Sequence, residues 1–336
     1  MITISNSEIQ AWKRCPRMWY VNYYLGFVPA QEPATGTRQL GTRVHLALEG
    51  HYGHDLDALT VLAVLYKIAK DAQPEYEAEL TAEHGLAHAM VEGYLEWLAD
   101  EGADADLEVV HTEQDVQVPL PGFEDQVTLR ARMDQVSQRI SDGVLSFMDY
   151  KTAANFEKHE LLDLDPQFRF YCLIQWLLAG HGAPAAVMQF RDGLPVVDGG
   201  IITTLRRIKR TSKSKPPYYQ RDYFRYNPEV IQATLVGTQK VAREILTARS
   251  HLDAAQEQHA DLFSVNLLQR HELRPVPILT DCSWRCPLAS GTCTAMDDGS
   301  DWPGILESSG RFRQADPYEY YRSDGLSAVR EKLASL

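Results

Sequence analysis

Apolar residues recur every three or four positions through the first third of the chain. Ile9, Trp12, Trp19, Val21 and Tyr24 predict an opening helical segment that Pro16 interrupts, with Ser7 and Gln10 at capping-box spacing. Further helices are predicted over Leu40–Gly53, Leu56–Ala72 and Tyr76–Ala99, where Ala, Leu and Glu dominate. From Leu107 the pattern changes to alternation, at Val109, Val116 and Val118, then along Val127–Val136 and Val144–Thr152, which predicts strands. Ser141-Asp142-Gly143 between the last two is a hairpin signal. Gln167–Ala179 returns to helix, Ala186–Phe190 and Ile201–Leu205 read as strands, and Pro228–Ala248 as an amphipathic helix. The remainder reads as loop-rich.

Composition narrows the class. The chain has 336 residues, 44% of them hydrophobic and 10% aromatic, enough for a real core, so disordered and fibrous classes are excluded. Five cysteines are too few for a disulfide framework and leave one unpaired in any all-disulfide scheme, which points to a reducing, cytoplasmic compartment. The N-terminus lacks the basic and apolar regions of a signal peptide, and no apolar run approaches the roughly 18 residues of a membrane span. A soluble protein without membrane contact is expected. The charge of −13 speaks against a histone-like nucleic-acid coat. Neither a GxxxxGK[ST] nor a GxGxxG motif occurs, so ATP and dinucleotide chemistry have no support.

Candidate chemistry concentrates in Asp134–Lys151. With Asp142-Gly143 as a two-residue turn, Asp134 lies across from Lys151 and Val136 across from Asp149. Asp134, Asp149 and Lys151 then share one face and Tyr150 takes the other; a slip of one residue would scatter the set. Two carboxylates and an ammonium at the end of a hairpin suit metal-assisted phosphodiester cleavage: hard oxygen ligands hold Mg²⁺ or Mn²⁺, and the lysine orients a water or offsets developing charge. A cross-strand salt bridge on a solvated face is the plainer alternative. His45 and Glu49 are one helical turn apart and can face such a site, the imidazole shifting preference toward Mn²⁺. Gln167 and Tyr171 also share a helix face, suited to gripping a phosphate or positioning Lys151, or to capping a core helix. Glu113 is expected at a solvated strand position.

With these residues the chain resembles the PD-(D/E)XK nuclease superfamily, and within it the RecB/AddB-like branch of CRISPR-associated adaptation exonucleases and their phage relatives. Gly41-Thr-Arg-Val-His45-Leu-Ala-Leu-Glu49 looks like the branch's GxxxHxxLE helix, Arg132-Met-Asp134 and Asp149-Tyr-Lys151 like its acidic motifs and catalytic lysine, and Gln167-Phe-Arg-Phe-Tyr171 like its QxxxY helix. The resemblance runs from Cys15 to Cys293. It implies a restriction-endonuclease-like α/β fold: a mixed sheet flanked by helices, with a helical N-terminal insertion and a C-terminal iron–sulfur segment. It implies a metal-dependent DNA exonuclease with His45, Asp134 and Asp149 on the metal, Lys151 at the nucleophile, and Gln167 and Tyr171 completing the catalytic set. The organisation expected is a helical region 1–105 carrying Cys15 and His45, a nuclease core 106–225, a helix and cysteine segment 226–300, and a tail 301–336.

Cys282, Cys286 and Cys293 put three thiols within twelve residues, and Cys15 offers a fourth. Four thiolates serve Zn²⁺ or an iron–sulfur cluster. The resemblance implies a [4Fe-4S] cluster stapling the N-terminal segment to the C-terminal one, although the spacings of three and six intervening residues exceed those common in the branch. Cys172 reads as a core residue. Arg206, Arg207, Lys209, Arg210, Lys213 and Lys215 place six cations in ten residues, followed by Tyr218 and Tyr219. They form either a DNA-guiding surface, to which Lys13, Arg14 and Arg17 add, or a solvated loop. His84-Gly-Leu-Ala-His88 lacks the glutamate of a zinc-protease helix. Single-stranded DNA or DNA ends are the expected partners, in recombination, repair or end processing. The competing reading is a non-catalytic iron–sulfur DNA-binding adaptor that keeps the fold.

Overall fold

In the computed structural model, residues 1–31, 33–180, 190–191, 194–195, 197–257, 273, 276, 282, 286–289 and 291–334 are described. The chain divides into two units. The first comprises Met1–Glu32, Pro119–Arg130 and Ala233–Arg322; the second comprises Pro33–Val118, Ala131–Gln232 and Ser323–Leu336.

In the first unit, β1 (Ile2–Ser5) runs parallel to the opening residues of β4 (Val127–Arg139), Ile2 beside Val127 and Ser5 beside Arg130. It leads into α1 (Asn6–Arg14), α2 (Pro16–Trp19) and a π-helical turn at Tyr20–Tyr24. The helix start differs from the expectation: Ser5 is the cap, its hydroxyl accepting the Glu8 N–H at 3.2 Å, because Ser5 ends a strand in extended conformation while Ser7 is already helical. Glu8 is fully buried and accepts from the Trp19 indole at 2.7 Å. A short β2 (Phe27–Pro29) pairs with β10 (Phe312–Gln314). The region expected to be loop-rich contains α9 (Thr292–Asp298), α10 (Trp302–Ser308) and α11 (Glu319–Arg322).

The second unit contains the helices α3 (Thr37–His54), α4 (Ala58–Ala72) and α5 (Glu77–Glu101), close to their predicted spans. It also contains a mixed sheet. Beyond Arg130, β4 pairs antiparallel with β5 (Leu145–Ala153), which runs parallel to β8 (Val197–Arg206), which pairs antiparallel with β9 (Tyr219–Phe224); β3 (Leu107–Pro119) also pairs with β4. The parallel step requires a crossover, and it carries α6 (His159–Leu162) and α7 (Pro166–Gly180). The expected strand at Ala186–Phe190 lies outside the described residues as far as 189; Phe190 opens the two-residue β6 (Phe190–Arg191), paired with β7 (Leu194–Pro195). The helix α8 (Pro228–Glu257) runs longer than predicted.

Alternation along β5 sorts its side chains between the two faces. Met148 and Tyr150 join Val44, Leu48, Met90 and Tyr94 in a core that Leu326 and Val329, near and in the last helix α12 (Ser327–Ala334), complete. Each fully buried aliphatic side chain there contributes on the order of 2 kcal/mol. Phe147 faces α7, its ring 5.1 Å from Phe168 and 5.5 Å from Tyr171. Gly200 on β8 admits that ring: a Cβ there would lie 2.4 Å from it.

The hairpin register differs from expectation. Val136 pairs with Phe147 and Gln135 with Met148, two residues away from the predicted alignment. The turn is wide because Asp106 captures it: its carbonyl accepts the Ile140 N–H at 3.0 Å, and its carboxylate accepts Ser141 N–H at 2.8 Å and Ser141 Oγ at 2.6 Å. A shift of two preserves the faces, whereas one residue would have exchanged them.

Candidate active site

Strands β4 and β5 of the second unit deliver two carboxylates and a lysine to the same place. Asp134 Oδ2 accepts the Tyr150 backbone N–H at 2.9 Å and stands 3.2 Å from His45 Nδ1, brought by α3. Asp149, with only 5% of its side chain exposed, is held on both oxygens. Oδ1 accepts from Gln167 Nε2 at 2.9 Å, and Oδ2 is 3.2 Å from Lys151 Nζ. The Gln167 amide also lies 2.9 Å from the Tyr171 hydroxyl, which donates to the Arg132 carbonyl at 2.8 Å. Thus α7 ties β5 to β4 through Gln167 and Tyr171, and His45, Asp134, Asp149, Lys151, Gln167 and Tyr171 converge.

Four further residues, Asp165, Glu113, Arg132 and Glu49, lie around them. Lys151 Nζ stands 3.2 Å from Asp165 Oδ2, whose other oxygen accepts the Gln167 backbone N–H at 2.8 Å. The Asp165-Pro166 pair was a legible signal, an acidic cap followed by proline at the first helical position. Glu113, expected to be solvated, is instead almost enclosed. It adopts a left-handed φ of 48° and sets its carboxylate 2.5 Å from Arg132 Nε, with 11% of the side chain exposed. Nothing local in the strand pattern announces that turn inward. Arg132 also donates to the Ser323 carbonyl at 3.0 Å, and Glu49, buried, lies within reach of its charge.

The electrostatics show what this crowding costs. Burial raises Asp149 to about 6, Asp134 adding to the shift and Lys151 opposing it. Burial also pushes Glu113 up to about 8, again with Asp134 adding and Arg132 opposing. His45 would be lowered by burial, yet the carboxylates of Asp134, Asp149 and Glu113 carry it up to about 9. Asp134 lies below its ordinary value: burial opposes, and the His45 charge with the Tyr150 N–H overrides it. Lys151 is held firmly protonated by Asp149 and Asp165 despite its desolvation. Burial makes the ionised forms of Asp149 and Glu113 costly, a cost that a bound cation would offset, and carboxylates with one imidazole suit Mg²⁺ or Mn²⁺. Among the described residues, however, no three His, Cys, Asp or Glu side chains are gathered tightly enough to hold an ion as they stand. Lys151 and His45 occupy oxygens that an ion would take.

The four cysteines proposed as ligands all fall in the first unit, and none is in a disulfide. Cys15 follows α1, and Cys293 lies in α9. Burial raises the Cys293 thiol to about 11, with Arg17 opposing and Cys286 and Cys15 adding; burial likewise raises Cys286, with Cys15 and Cys282 adding. Cys15, Cys282 and Cys293 therefore each lie within electrostatic range of Cys286, though without ligand-tight convergence among the described residues. Cys172 is buried in α7 of the other unit, its thiol raised by burial alone.

The basic run is more engaged than its sequence suggests. Arg210 pairs with Glu96 at 2.6 Å, and Arg206 donates to the Ala154 and Lys215 carbonyls at 3.3 and 3.2 Å. Gly93 of α5 makes this possible, since a Cβ there would strike Arg210 and the Tyr219 hydroxyl. Arg17, expected to extend the surface, is buried and bonds Asp297 at 2.7 Å and the Cys293 carbonyl at 3.1 Å. No helix among the described residues is long and apolar enough to cross a membrane.

A mixed sheet whose adjacent strands present paired acids and a lysine to a helix-borne histidine is the architecture of cation-dependent phosphodiester hydrolysis. The chain belongs to the PD-(D/E)XK nuclease superfamily, whose family model matches residues 3–291. Metal-dependent nuclease chemistry on nucleic acid is what that membership implies. No curated protein is a significant match to the chain.

Proposed function

We propose that the protein is a DNA exonuclease of the RecB/AddB-like branch, using Mg²⁺ or Mn²⁺ held by His45, Asp134 and Asp149. The observation that carries the reading is the convergence of those three residues with Lys151 in one unit. An ion held by His45, Asp134 and Asp149 would supply Lewis acidity toward the phosphate and a water. Lys151, kept protonated, orients the attacking water and offsets charge developing on the phosphate. Gln167 fixes Asp149 so that its second oxygen stays directed at the reaction centre, and Tyr171 locks the strand bearing Asp134 through the Arg132 carbonyl. Arg206, Arg207, Lys209 and Arg210 border the path of the strand, with Arg207 and Lys209 giving more of the DNA contact than their two engaged neighbours.

Cys15, Cys282, Cys286 and Cys293 hold a structural [4Fe-4S] cluster, supported by the electrostatic proximity of Cys15, Cys282 and Cys293 to Cys286 within one unit. The protein acts in the cytoplasm on single-stranded DNA or DNA ends, without ATP, in recombination, repair or end processing. Degradation of end-labelled single-stranded DNA with Mn²⁺ tests the catalytic reading: wild type degrades the strand from an end and Lys151→Ala does not. Equal activities, or none in either, would overturn it.

A further inference from the structure

Asp165 belongs to no motif, yet it stands where two requirements of the site meet. Its Oδ2 is 3.2 Å from Lys151 Nζ, and its Oδ1 accepts the Gln167 N–H at 2.8 Å at the start of α7. Gln167 then returns through its side chain to Asp149 Oδ1, and Asp149 Oδ2 returns to Lys151. The result is a closed circuit, Lys151 to Asp165 to Gln167 to Asp149 to Lys151, of which Asp165 is the only member drawn from the loop before α7.

A lysine ammonium on a four-carbon stem loses much rotamer freedom when fixed. One carboxylate leaves it free to swing about that contact. Two carboxylates, each 3.2 Å from Nζ, narrow its position, and the Phe168 ring centroid lies 5.6 Å from the same atom. We propose that Asp165 is the positioning residue for Lys151: it fixes the ammonium and, through its other oxygen, aligns the helix that carries Gln167 and Tyr171. This deepens the nuclease reading and rests on it.

The two functions of the carboxylate can be separated. Asp165→Asn keeps a helix cap of equal quality but removes the charge that holds the lysine; Asp165→Ala removes both. With Mn²⁺ and end-labelled single-stranded DNA, Asp165→Asn lowers kcat about 10- to 100-fold, the range for loss of a supporting partner, with KM and melting temperature as in wild type. Asp165→Ala loses as much kcat and also melts lower. Wild-type kcat in Asp165→Asn, or a change confined to KM, would overturn the proposal. A second measurement is independent of turnover. In metal-free protein with ¹³Cε-labelled lysine, the Lys151 signal, assigned by its absence in Lys151→Ala, is displaced from the exposed lysines and moves back toward them in Asp165→Asn. If wild type hydrolyses no DNA while this signal moves, the nuclease reading fails and the tether stands; if wild type is active and the signal does not move, only the tether fails.

Discussion

The acidic site in the second unit and the cysteine set in the first solve opposite problems. In the acidic site Asp134, Asp149 and Lys151 each have named partners at 2.9 to 3.2 Å, so His45 and Lys151 partly neutralise the carboxylates that an ion would otherwise neutralise. Burial raises the Cys286 and Cys293 thiols and nearby cysteines add to it, while the Leu288 and Ala289 N–H groups at Cys286 and the Arg17 guanidinium at Cys293 oppose it. Hard ligands embedded in a hydrogen-bonded sheet can be preorganised by the protein itself. Soft thiols, weak as hydrogen-bonding groups, take their geometry from the metal they bind, which couples that binding to folding.

Mutations that separate the two regions sharpen this contrast. The largest effect is expected from Lys151→Ala or Asp149→Asn, which lower kcat by about 10³-fold or more and leave the visible absorption of the cysteine unit unchanged; loss of that absorption would mean that the regions are not independent. With the proposed cluster in place, Cys286→Ala should do the reverse, removing its brown absorption and lowering the melting temperature. A stable, active, colourless variant would remove the structural cluster. Tyr171→Phe leaves the Arg132 carbonyl without its donor and should cost about 1 kcal/mol in urea unfolding, with a smaller fall in rate than Lys151→Ala.

The pH response of the metal-free protein tests the His45–Asp134 pair, to which the carboxylates of Asp149 and Glu113 add. His45 is raised from 6.5 to about 9, so the pair's contribution to stability is complete below pH 6.5 and disappears as pH rises through about 9. Urea midpoints measured between pH 6 and 10 should fall more steeply for wild type than for His45→Asn; parallel curves would break the pairing. The smallest effect is on DNA affinity. Neutralising Arg207 and Lys209 should weaken binding and reduce its salt slope by about 2, with a lesser change for the already engaged Arg206 and Arg210, as fluorescence anisotropy across a salt series would show.

Reading these features from sequence succeeded where the signal was local. The alternation that made β5 a strand also separated Asp149 and Lys151 from Tyr150, and the i, i+4 spacing of Gln167 and Tyr171 placed both on the face of α7 toward the sheet. The cap before Pro166 was equally local and would have revealed Asp165. Ser5 was obscured by the plausible cap two residues later, and the shortness of β1 hid the strand that precedes it. The hairpin register depended on Asp106, some 35 residues from the turn it captures, and no turn rule carries that information.

Periodicity and motif spacing were therefore enough to specify helices α3 to α5 and α7, strands β3 to β5 and β8, and the face on which two acids meet a lysine, because each rests on contacts within a few residues of chain. Tertiary structure decided which other charges entered that centre. Glu113 reached it through a left-handed backbone and the buried Arg132, Arg17 was withdrawn to Asp297, and Arg210 to Glu96. A charged side chain goes where its desolvation is best offset, and the partner that offsets it here lies 19 to 280 residues away in the chain.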